Sequence, residues 1–207
     1  MSPNKDSYNL IITGVGGQGN VLSSQLIGQA FVSKGFFATI GETYGASQRG
    51  GSVMSHIRIS SKKQLSPLIP KGKADVVVAL EPVEALRVLT QYGNRETVVI
   101  VNTRPIYPVD VTSGGEKYPK KEEIKRSLEG LSQKVYYIPA TEKAMQLGSP
   151  ILGNMIMIGA LLGVHLIPLS MEEFRQTLAK NFSKNRLETN LKALAEGKKM
   201  VMGEGGD

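Results

Sequence analysis

The sequence of 207 residues contains no cysteine and only two histidines. Without cysteine the chain can form no disulfide bond, offers no thiolate nucleophile and cannot ligate an iron–sulfur cluster through sulfur. Two histidines also make a zinc site an unfavourable interpretation. The first ten residues, MSPNKDSYNL, lack the apolar stretch of a secretory signal and the arginine and serine enrichment of a transit peptide. We therefore expect a cytoplasmic protein.

Aromatic residues are also scarce, at 6% of the chain, and the basic residues are scattered along it. The sequence therefore indicates no stacking platform and no recognition helix, and we expect no nucleic acid as a partner. The excess of 25 basic over 18 acidic residues gives a formal charge of +7. This charge favours an acidic partner or a polyphosphate ligand, and it identifies neither.

What is present is an alternation of short apolar runs and helical patterns. YNLIITG (8–14) and FFATIG (36–41) are typical of buried strands, and between them a helix is predicted over residues 20–34. The apolar side of that helix is predicted to comprise Leu22, Leu26, Ile27, Ala30 and Phe31. A helical crossover between two strands predicts that these strands are parallel neighbours.

Further strands are predicted in SVMSHIRIS (52–60), ADVVVAL (74–80), TVVIVNT (97–103) and KVYYIPA (134–140), with helices after Pro82 and over 120–130. The class is therefore α/β. We expect a Rossmann-like, doubly wound and mostly parallel sheet, with helices on both faces and a helical extension at the C-terminus.

Residues 151–169 carry no charge, and this run is long enough to raise the question of a membrane span. Its three glycines, Asn154 and Pro168 favour a helix buried in the protein's own core or against another subunit, which the sequence does not separate. The final helix is predicted to end near Glu196 with Gly197 as its cap. We expect no membrane partner.

Gly14, Gly16 and Gly19 match the pattern G-x-G-x-x-G, with Gly17 as an additional glycine, between a predicted strand and a predicted helix. Such glycines permit a tight turn, the close approach of an anion and the packing of the helix on the strand. The amides at the start of the helix then offer donors to a phosphate or carboxylate group. The alternative is a tight strand-to-helix connection that holds no ligand.

A second loop, from Arg49 to Gly51, is predicted near the carboxyl end of the sheet, where it could bind an anion or pack closely. Glu42 follows the second strand at about the position of a ribose-binding acid, which makes a dinucleotide-binding dehydrogenase a rival hypothesis. His56 and Arg58 share one face of their strand. We interpret this face as solvated or as part of an interface, and a role in a functional site is the less favoured alternative.

Together, several segments carry a family resemblance. The chain resembles the gamma-type subunits of the 2-oxoacid:ferredoxin oxidoreductases (the pyruvate/ketoisovalerate oxidoreductase gamma domain), and among these most of all the small (beta) subunit of the indolepyruvate type. The matching segments are GVGGQG (14–19), ETYGASQRGGSVMSHIRI (42–59), SPLIPKGKADVVVALEPVEALR (66–87), VNTRPIYP (101–108) and GNMIMIGAL (153–161). The stretch that includes SQRGGSV is more specific than the glycine turn.

The resemblance implies one part of an enzyme that decarboxylates an (aryl)pyruvate oxidatively on thiamine diphosphate, transfers the acyl group to coenzyme A and reduces ferredoxin. Magnesium, thiamine diphosphate and 4Fe-4S clusters are then expected on a partner subunit, since this chain has no cysteine and no GDG motif with its asparagine pair. This implies a hetero-oligomer in which the present chain supplies no catalytic residue and no metal ligand.

The resemblance further implies coenzyme A as an occupant of the turn, because its pyrophosphate and ribose phosphate suit a helix N-terminus and a nearby arginine. The expected contacts are Gly14, Gly16, Gly17, Gln18, Gly19, Arg49, Gly50 and Gly51. Three alternatives stay open: these loops only dock the catalytic subunit, the chain is a stand-alone Rossmann dinucleotide-binding oxidoreductase, or, against the expectation above, it binds RNA or DNA with an affinity that falls steeply with salt. We expect one gamma-type domain over 1–200, with helices from about 151 packed on the sheet or a partner, and a flexible tail over 201–207.

Overall fold

The computed structural model describes residues 5–44, 51–107 and 117–203, and within these ranges the chain forms six strands and seven α-helices. The strands are β1 (Ser7–Val15), β2 (Phe37–Tyr44), β3 (Ser52–Ser60), β4 (Val76–Ala79), β5 (Val98–Asn102) and β6 (Lys134–Ile138). The helices are α1 (Asn20–Ser33), α2 (Pro82–Tyr92), α3 (Lys121–Leu131), α4 (Ala140–Gln146), α5 (Gly153–Gly163), α6 (Met171–Asn181) and α7 (Lys184–Met202), with a 3-10 turn at Pro150–Leu152 before α5.

The strands form one sheet in the order β2-β3-β1-β4-β5-β6. The pairs β1–β4, β4–β5 and β5–β6 are parallel, whereas β3 is antiparallel to both β1 and β2. The predicted α/β class and mostly parallel sheet are therefore confirmed. The prediction that β1 and β2 are neighbours was wrong, because β3 turns back from β2 and inserts between them.

Helices cover both faces of the sheet, as predicted. One face packs against α1, α5, α6 and α7, and the other against α2 and α3. The alternation of side chains along the strands separates the two cores, because successive residues of a strand point to opposite faces. The first core contains Leu10, Ile12, Val76, Val78 and Ile100; the second contains Ile11, Val77, Ala79, Val99 and Val101.

Helix α5 accounts for most of the long uncharged run, and every residue from Asn154 to Gly163 is buried. It packs between the sheet and α7, so the interpretation as a helix inside the protein's own core is the correct one for this chain. Among the helices of the described ranges, none is long and apolar enough to cross a membrane.

The end of the chain differs from the prediction. Helix α7 continues past Gly197 to Met202, so Gly197 lies within the helix and is not its cap. The predicted tail therefore begins in helix at Val201 and Met202, and residues 204–207 lie outside the described ranges. The preceding helix, α6, begins with a capping box in which the Ser170 hydroxyl accepts from the Glu173 amide at 3.2 Å.

Candidate anion-binding site at the switch point of the sheet

The direction in which the chain adds strands to the sheet reverses between the parallel strands β1 and β4, at the centre of the sheet. From β1 it runs through α1 to the β2 side, and from β4 onward it builds the opposite half of the sheet. The two strands end together: Thr13 pairs with Ala79, and the Leu80 amide donates to the Thr13 carbonyl at 2.8 Å. The carboxyl ends of strands at such a switch point form the crevice in which open α/β sheets bind ligands.

The glycine turn between β1 and α1 lies at this crevice. Gly17 and Gly19 have φ angles of 102° and 88°, which favour glycine. The Gln18 side chain stabilises the turn from within, because its Oε1 accepts from the Val15 amide at 2.7 Å and its Nε2 donates to the Leu80 carbonyl at 3.0 Å. Gln18 thus ties the turn to the end of β4.

The glycines of the motif have different roles. Gly14 belongs to β1, and a Cβ there would lie 2.5 Å from Gln18 Oε1, so this glycine makes room for the Gln18 side chain. A Cβ on Gly19 would lie 2.6 Å from Asn154 Nδ2 of helix α5. A Cβ on Gly17 would have nothing within 4 Å, so Gly17 is the open position of the turn.

The N-terminus of α1 begins directly after the turn, and no side chain of the described residues caps it. The first-turn amides of this helix therefore lack the side-chain acceptor that commonly satisfies them. They face a cleft of about 460 Å³ whose lining residues are Val15, Gly16, Gly17, Gly19, Asn20, Val21 and Val53. Main-chain donors and the positive end of the helix dipole make this cleft suited to an anion.

A second cleft, of about 440 Å³, lies on the other side of the turn. Its walls include Gly17, Gln18, Thr141, Ile151 and Asn154. Asn154 is only 6% exposed, so a buried carboxamide lies where the turn, α4 and α5 meet. Asn154 was not predicted as a site residue, because only the tertiary fold brings α5 to the turn.

Asn102, at the end of β5, fixes the wall of this second cleft. Its Nδ2 donates to the Leu80 carbonyl at 3.1 Å and to Thr141 Oγ1 at 2.9 Å. Its Oδ1 accepts from the amides of Ala140 and Thr141 at 3.1 and 3.3 Å. With its donors and acceptor in use inside the protein, Asn102 positions the start of α4 and is not free to bind a ligand.

Gly51 is the described part of the second predicted loop, and it lies against the glycine turn. The Gly16 amide donates to the Gly51 carbonyl at 2.9 Å, so the structure brings the two loops together and uses the Gly16 amide to join them. Arg49 and Gly50 lie outside the described residues. Of the expected contacts, Gly16, Gly17 and Gly19 line the first cleft and Gln18 the second, whereas Gly14 lines neither.

Two buried carboxylates lie behind the loop, at the start of α2. Glu81 caps this helix by accepting from the Glu84 amide at 2.9 Å, and it also accepts from the Tyr118 hydroxyl. Burial, and then the bond to Glu81, raise the pKa of Tyr118 far above its usual value. Burial also raises the pKa of Glu84, against the opposing effects of the Ser52 hydroxyl and Arg87. The Ser52–Glu84 hydrogen bond anchors the start of β3 to α2, and the Tyr118–Glu81 hydrogen bond joins the segment before α3 to the start of α2.

Glu42, the residue proposed as a ribose-binding acid under the dehydrogenase hypothesis, forms hydrogen bonds within the protein. The Glu42 carboxylate accepts from the hydroxyls of Ser24 at 2.8 Å and Ser55 at 2.6 Å. Because β3 separates β2 from β1, Glu42 also lies one strand further from the glycine turn than in a dinucleotide-binding unit with adjacent β1 and β2. The geometry therefore does not favour the dehydrogenase hypothesis.

His56 and Arg58 have structural roles. His56 is fully buried, and its Nδ1 accepts from the Ile69 amide at 3.3 Å. The Arg58 guanidinium donates to Asn9 Oδ1 and to the Ser66 carbonyl and hydroxyl. Both side chains thus hold the segment between β3 and β4 on the sheet. The residues of the described ranges contain no group of three or more histidine, aspartate or glutamate side chains that could hold a metal ion.

The fold and the site define an α/β protein with an uncapped, glycine-rich helix start at the switch point of its sheet. Residues 9–200 match the model of the family described as pyruvate ferredoxin/flavodoxin oxidoreductase. The chain belongs to this family.

Two curated relatives align with this chain over more than nine-tenths of its length. It is 40% identical over 189 residues to the indolepyruvate oxidoreductase subunit IorB of Archaeoglobus fulgidus, covering 91% of this chain and 92% of the relative. It is 38% identical to the subunit of the same name from Pyrococcus horikoshii, covering 93% of this chain and 95% of the relative. The resemblance and the prediction of an oxidoreductase subunit are confirmed.

Solved structures share the fold. The pyruvate oxidoreductase subunit PORC of Thermotoga maritima matches with a TM-score of 0.70 and 21% identity, covering 94% of this chain and 97% of that one. A 2-oxoglutarate:ferredoxin oxidoreductase of Magnetococcus marinus matches with a TM-score of 0.75 and 23% identity. That match covers 97% of this chain and 32% of the other, whose structure contains 2-oxoglutarate, coenzyme A and succinyl-CoA.

Proposed function

We propose that this chain is the cluster-free subunit of an indolepyruvate-type 2-oxoacid:ferredoxin oxidoreductase and that its glycine turn receives a phosphate group of coenzyme A. The complete reaction converts an arylpyruvate anion and coenzyme A into an acyl-CoA, carbon dioxide and one proton, with transfer of two electrons to ferredoxin. The relatives support the kind of enzyme, since four indolepyruvate oxidoreductase subunits match this chain at 36–40% identity.

The uncapped start of α1 carries the part of the proposal that concerns coenzyme A. Amides that lack a side-chain acceptor face a cleft of about 460 Å³, and the left-handed Gly17 leaves its rim open. Phosphate groups bind at helix N-termini because several N–H donors and the helix dipole act on them together. Arg49, in the neighbouring loop, is proposed to supply a charged donor to the same anion.

The electron carriers do not fit this chain. An iron–sulfur cluster needs thiolate ligands, and the sequence contains no cysteine. We therefore propose that thiamine diphosphate, magnesium and the 4Fe-4S clusters are bound by a partner subunit. The contribution of the present chain is to bind and orient coenzyme A beside that partner. No proton or electron transfer is assigned to its residues.

A charge placed at the start of α1 tests this function. Val21 lies in the first turn of α1 and lines the cleft. Val21→Glu would put a carboxylate where the phosphate is proposed to bind, while its interaction with the helix dipole favours folding. Val21→Gln has nearly the same shape without the charge. Calorimetry on the assembled complex is expected to show at least tenfold weaker binding of coenzyme A for Val21→Glu and a change below twofold for Val21→Gln.

The assembly of the complex is measured in the same preparations, because the competing role for these loops is docking. Unchanged affinity for coenzyme A in Val21→Glu would refute the proposed phosphate site. Loss of the partner on purification, with coenzyme A still bound by whatever assembles, would assign the turn to docking instead. Arg49→Ala is a second variant, expected to weaken coenzyme A binding without loss of the partner.

A further inference from the structure

We propose that strand β2 and the exposed side of helix α1 form an interface between two copies of this chain. The surface concerned, called the α1–β2 edge here, comprises residues 37–44 of β2 and the exposed residues Leu22, Gln25, Gln29 and Val32 of α1. It is separate from the coenzyme A site, and the inference does not depend on the proposed function.

Strand β2 is an unprotected edge of the sheet. It is the terminal strand, and no strand of the described residues pairs with its outer side. Its register with β3 runs without a bulge from Phe37–Ser60 to Tyr44–Val53, and it contains neither lysine nor proline. A long, regular edge of this kind presents a row of unpaired main-chain groups that another strand can complete, and proteins usually interrupt such edges.

The opposite edge of the same sheet is protected in that way. Strand β6 has five residues against eight in β2. It begins with the exposed Lys134, whose ammonium lies 4.4 Å from the centre of the Tyr136 ring. A short strand with a lysine is the usual protection against strand pairing. Among the described strands, the contrast between the two edges indicates that β2, and not β6, is left available for a partner strand.

Helix α1 continues the same surface with a stripe that is exposed but uncharged. Leu22 was expected on the buried side, yet it is 42% exposed, and Val32 is 58% exposed. Charged residues make up 21% of the chain, but Lys34 is the only one between residues 20 and 41. Lys34 is itself engaged, with Glu173 at 2.8 Å and the Pro168 carbonyl at 2.6 Å. Depletion of charge and exposure of large apolar side chains characterise the centre of protein–protein interfaces.

A groove lies between the helix and the strand. It measures about 540 Å³ and is lined by residues of α1, β2 and α6, and Lys180 is the only charged one among the described residues that line it. Phe37, at the start of β2, is 47% exposed beside it. The groove offers room for apolar side chains that a partner strand would bring to this edge.

The chemistry of the edge fits a second copy better than an acidic partner. Two identical strands can pair antiparallel across a two-fold axis, where the same surface serves both partners. The carboxamides of Gln25 and Gln29 are donors and acceptors at once, so they are compatible with their own copies. Because each chain carries a net charge of +7, two copies approach most readily through a surface of low charge. Glu42 is the only charged residue of the α1–β2 edge, and its carboxylate accepts from the hydroxyls of Ser24 and Ser55 within the same chain.

Sedimentation velocity of the full chain tests the interface. We expect a dimer at micromolar concentration. Val32→Lys and Phe37→Lys introduce charges at exposed positions, where they should not disturb folding, and each is expected to weaken dimerisation at least tenfold. Met145→Lys is the matched control, since Met145 is 56% exposed on α4 and lies outside this surface. A monomer in the unmodified chain, or a dimer that persists in both variants, would overturn the proposal.

The absence of cysteine allows an independent test by cross-linking. Phe37→Cys, Ile40→Cys and Thr43→Cys each place a single thiol along β2, and Met145→Cys places one elsewhere. In an antiparallel pair with a two-fold axis, a residue near the axis faces its own copy. Mild oxidation is expected to yield a covalent dimer for at least one of the three β2 variants and none for the control. Equal cross-linking of all four would contradict an interface at this edge, as would pairing of the edge with the catalytic subunit only.

Discussion

Gly197 of helix α7 lies directly on the main chain of Ile156 in helix α5, so closely that a Cβ on Gly197 would come within 1.8 Å of the Ile156 carbonyl oxygen. The contact is mutual, since a Cβ on Gly159 of α5 would lie 2.0 Å from the Leu194 carbonyl oxygen of α7. Helix α7 can cover the buried helix α5 at this distance only because both positions lack a side chain. Gly197 is therefore a packing residue within a helix and not a C-cap.

Gly197→Ala is expected to lower the free energy of unfolding by about 1–3 kcal/mol, the usual cost of overpacking. The atoms that a Cβ would meet belong to the main chain and cannot rotate away. Chemical denaturation measures this change in the free energy of unfolding. Gly130→Ala is the control: Gly130 lies inside α3, and a Cβ there would have nothing within 4 Å. That change is expected to stabilise the protein by about 0.5–1 kcal/mol, since alanine favours a helix over glycine. Equal effects of the two substitutions would refute the assigned role of Gly197.

A double-mutant cycle on Gly19 and Asn154 tests the contact between the turn and helix α5. Gly19→Ala is expected to destabilise the protein for two reasons: its φ angle of 88° disfavours alanine, and the new Cβ would lie 2.6 Å from Asn154 Nδ2. Asn154→Ala in the same chain removes the second reason and leaves the first. The coupling energy is therefore expected to be favourable and in the range of about 0.5–3 kcal/mol found for residues in contact. Strictly additive effects would show that the two residues do not touch.

Gln18→Leu is expected to loosen the glycine turn, because it removes the bonds from Gln18 to the Val15 amide and the Leu80 carbonyl. The loss in unfolding free energy should be about 1–3 kcal/mol, since the Val15 amide loses its acceptor, whereas the Leu80 carbonyl keeps its bond from Asn102 Nδ2. Gln91→Leu, at an exposed position of α2, serves as the control and should change the stability little. Hydrogen exchange of the Val15 amide is the local measurement, and an unchanged rate would contradict the role of Gln18.

The buried His56 makes stability depend on pH. Burial lowers the pKa of His56 below the ordinary value of 6.5, while the charge of Glu42 acts in the opposite direction. Below pH 6.5 the unfolded chain therefore binds a proton at this position that the folded chain does not, so stability falls as the pH falls from 6.5 toward the lower folded-state pKa. Nδ1 of the neutral His56 accepts a hydrogen bond from the Ile69 amide at 3.3 Å. Protonation of Nδ1 would place two N–H donors opposite each other and break this bond.

His56→Asn tests this dependence, because an asparagine Oδ1 can accept from the Ile69 amide without titrating in this range. Unfolding curves between pH 7 and 5 should show a smaller loss of stability in this variant than in the unmodified chain. His165→Asn is the control, since His165 is exposed and has a positive φ of 54° that asparagine tolerates. An identical pH profile for His56→Asn and the unmodified chain would exclude His56 as the origin.

Local sequence patterns predicted most of the strands and helices of the fold. The apolar runs at 8–14, 52–60, 74–80, 97–103 and 134–140 all contain strands, and the glycine turn lies between β1 and α1 as its motif requires. The order of the strands was not predicted correctly, because the alternation of β3 specifies which side chains are buried but not which neighbours the strand has. The short helix α4 was missed, since its seven residues present too little periodicity.

By itself, the sequence determined that this chain cannot hold thiolate-bound clusters, that a glycine-rich turn joins its first strand to its first helix, and that it resembles one family of oxidoreductase subunits. These properties follow from which residues are present and from their local spacing. Only the tertiary structure decided that Asn154 lies at the turn, that Glu42 is engaged by serine hydroxyls and that β2 is an edge strand of the described sheet. Each of these relations joins residues distant in the chain, and their proximity results from the packing of the sheet and helices, which no local pattern encodes.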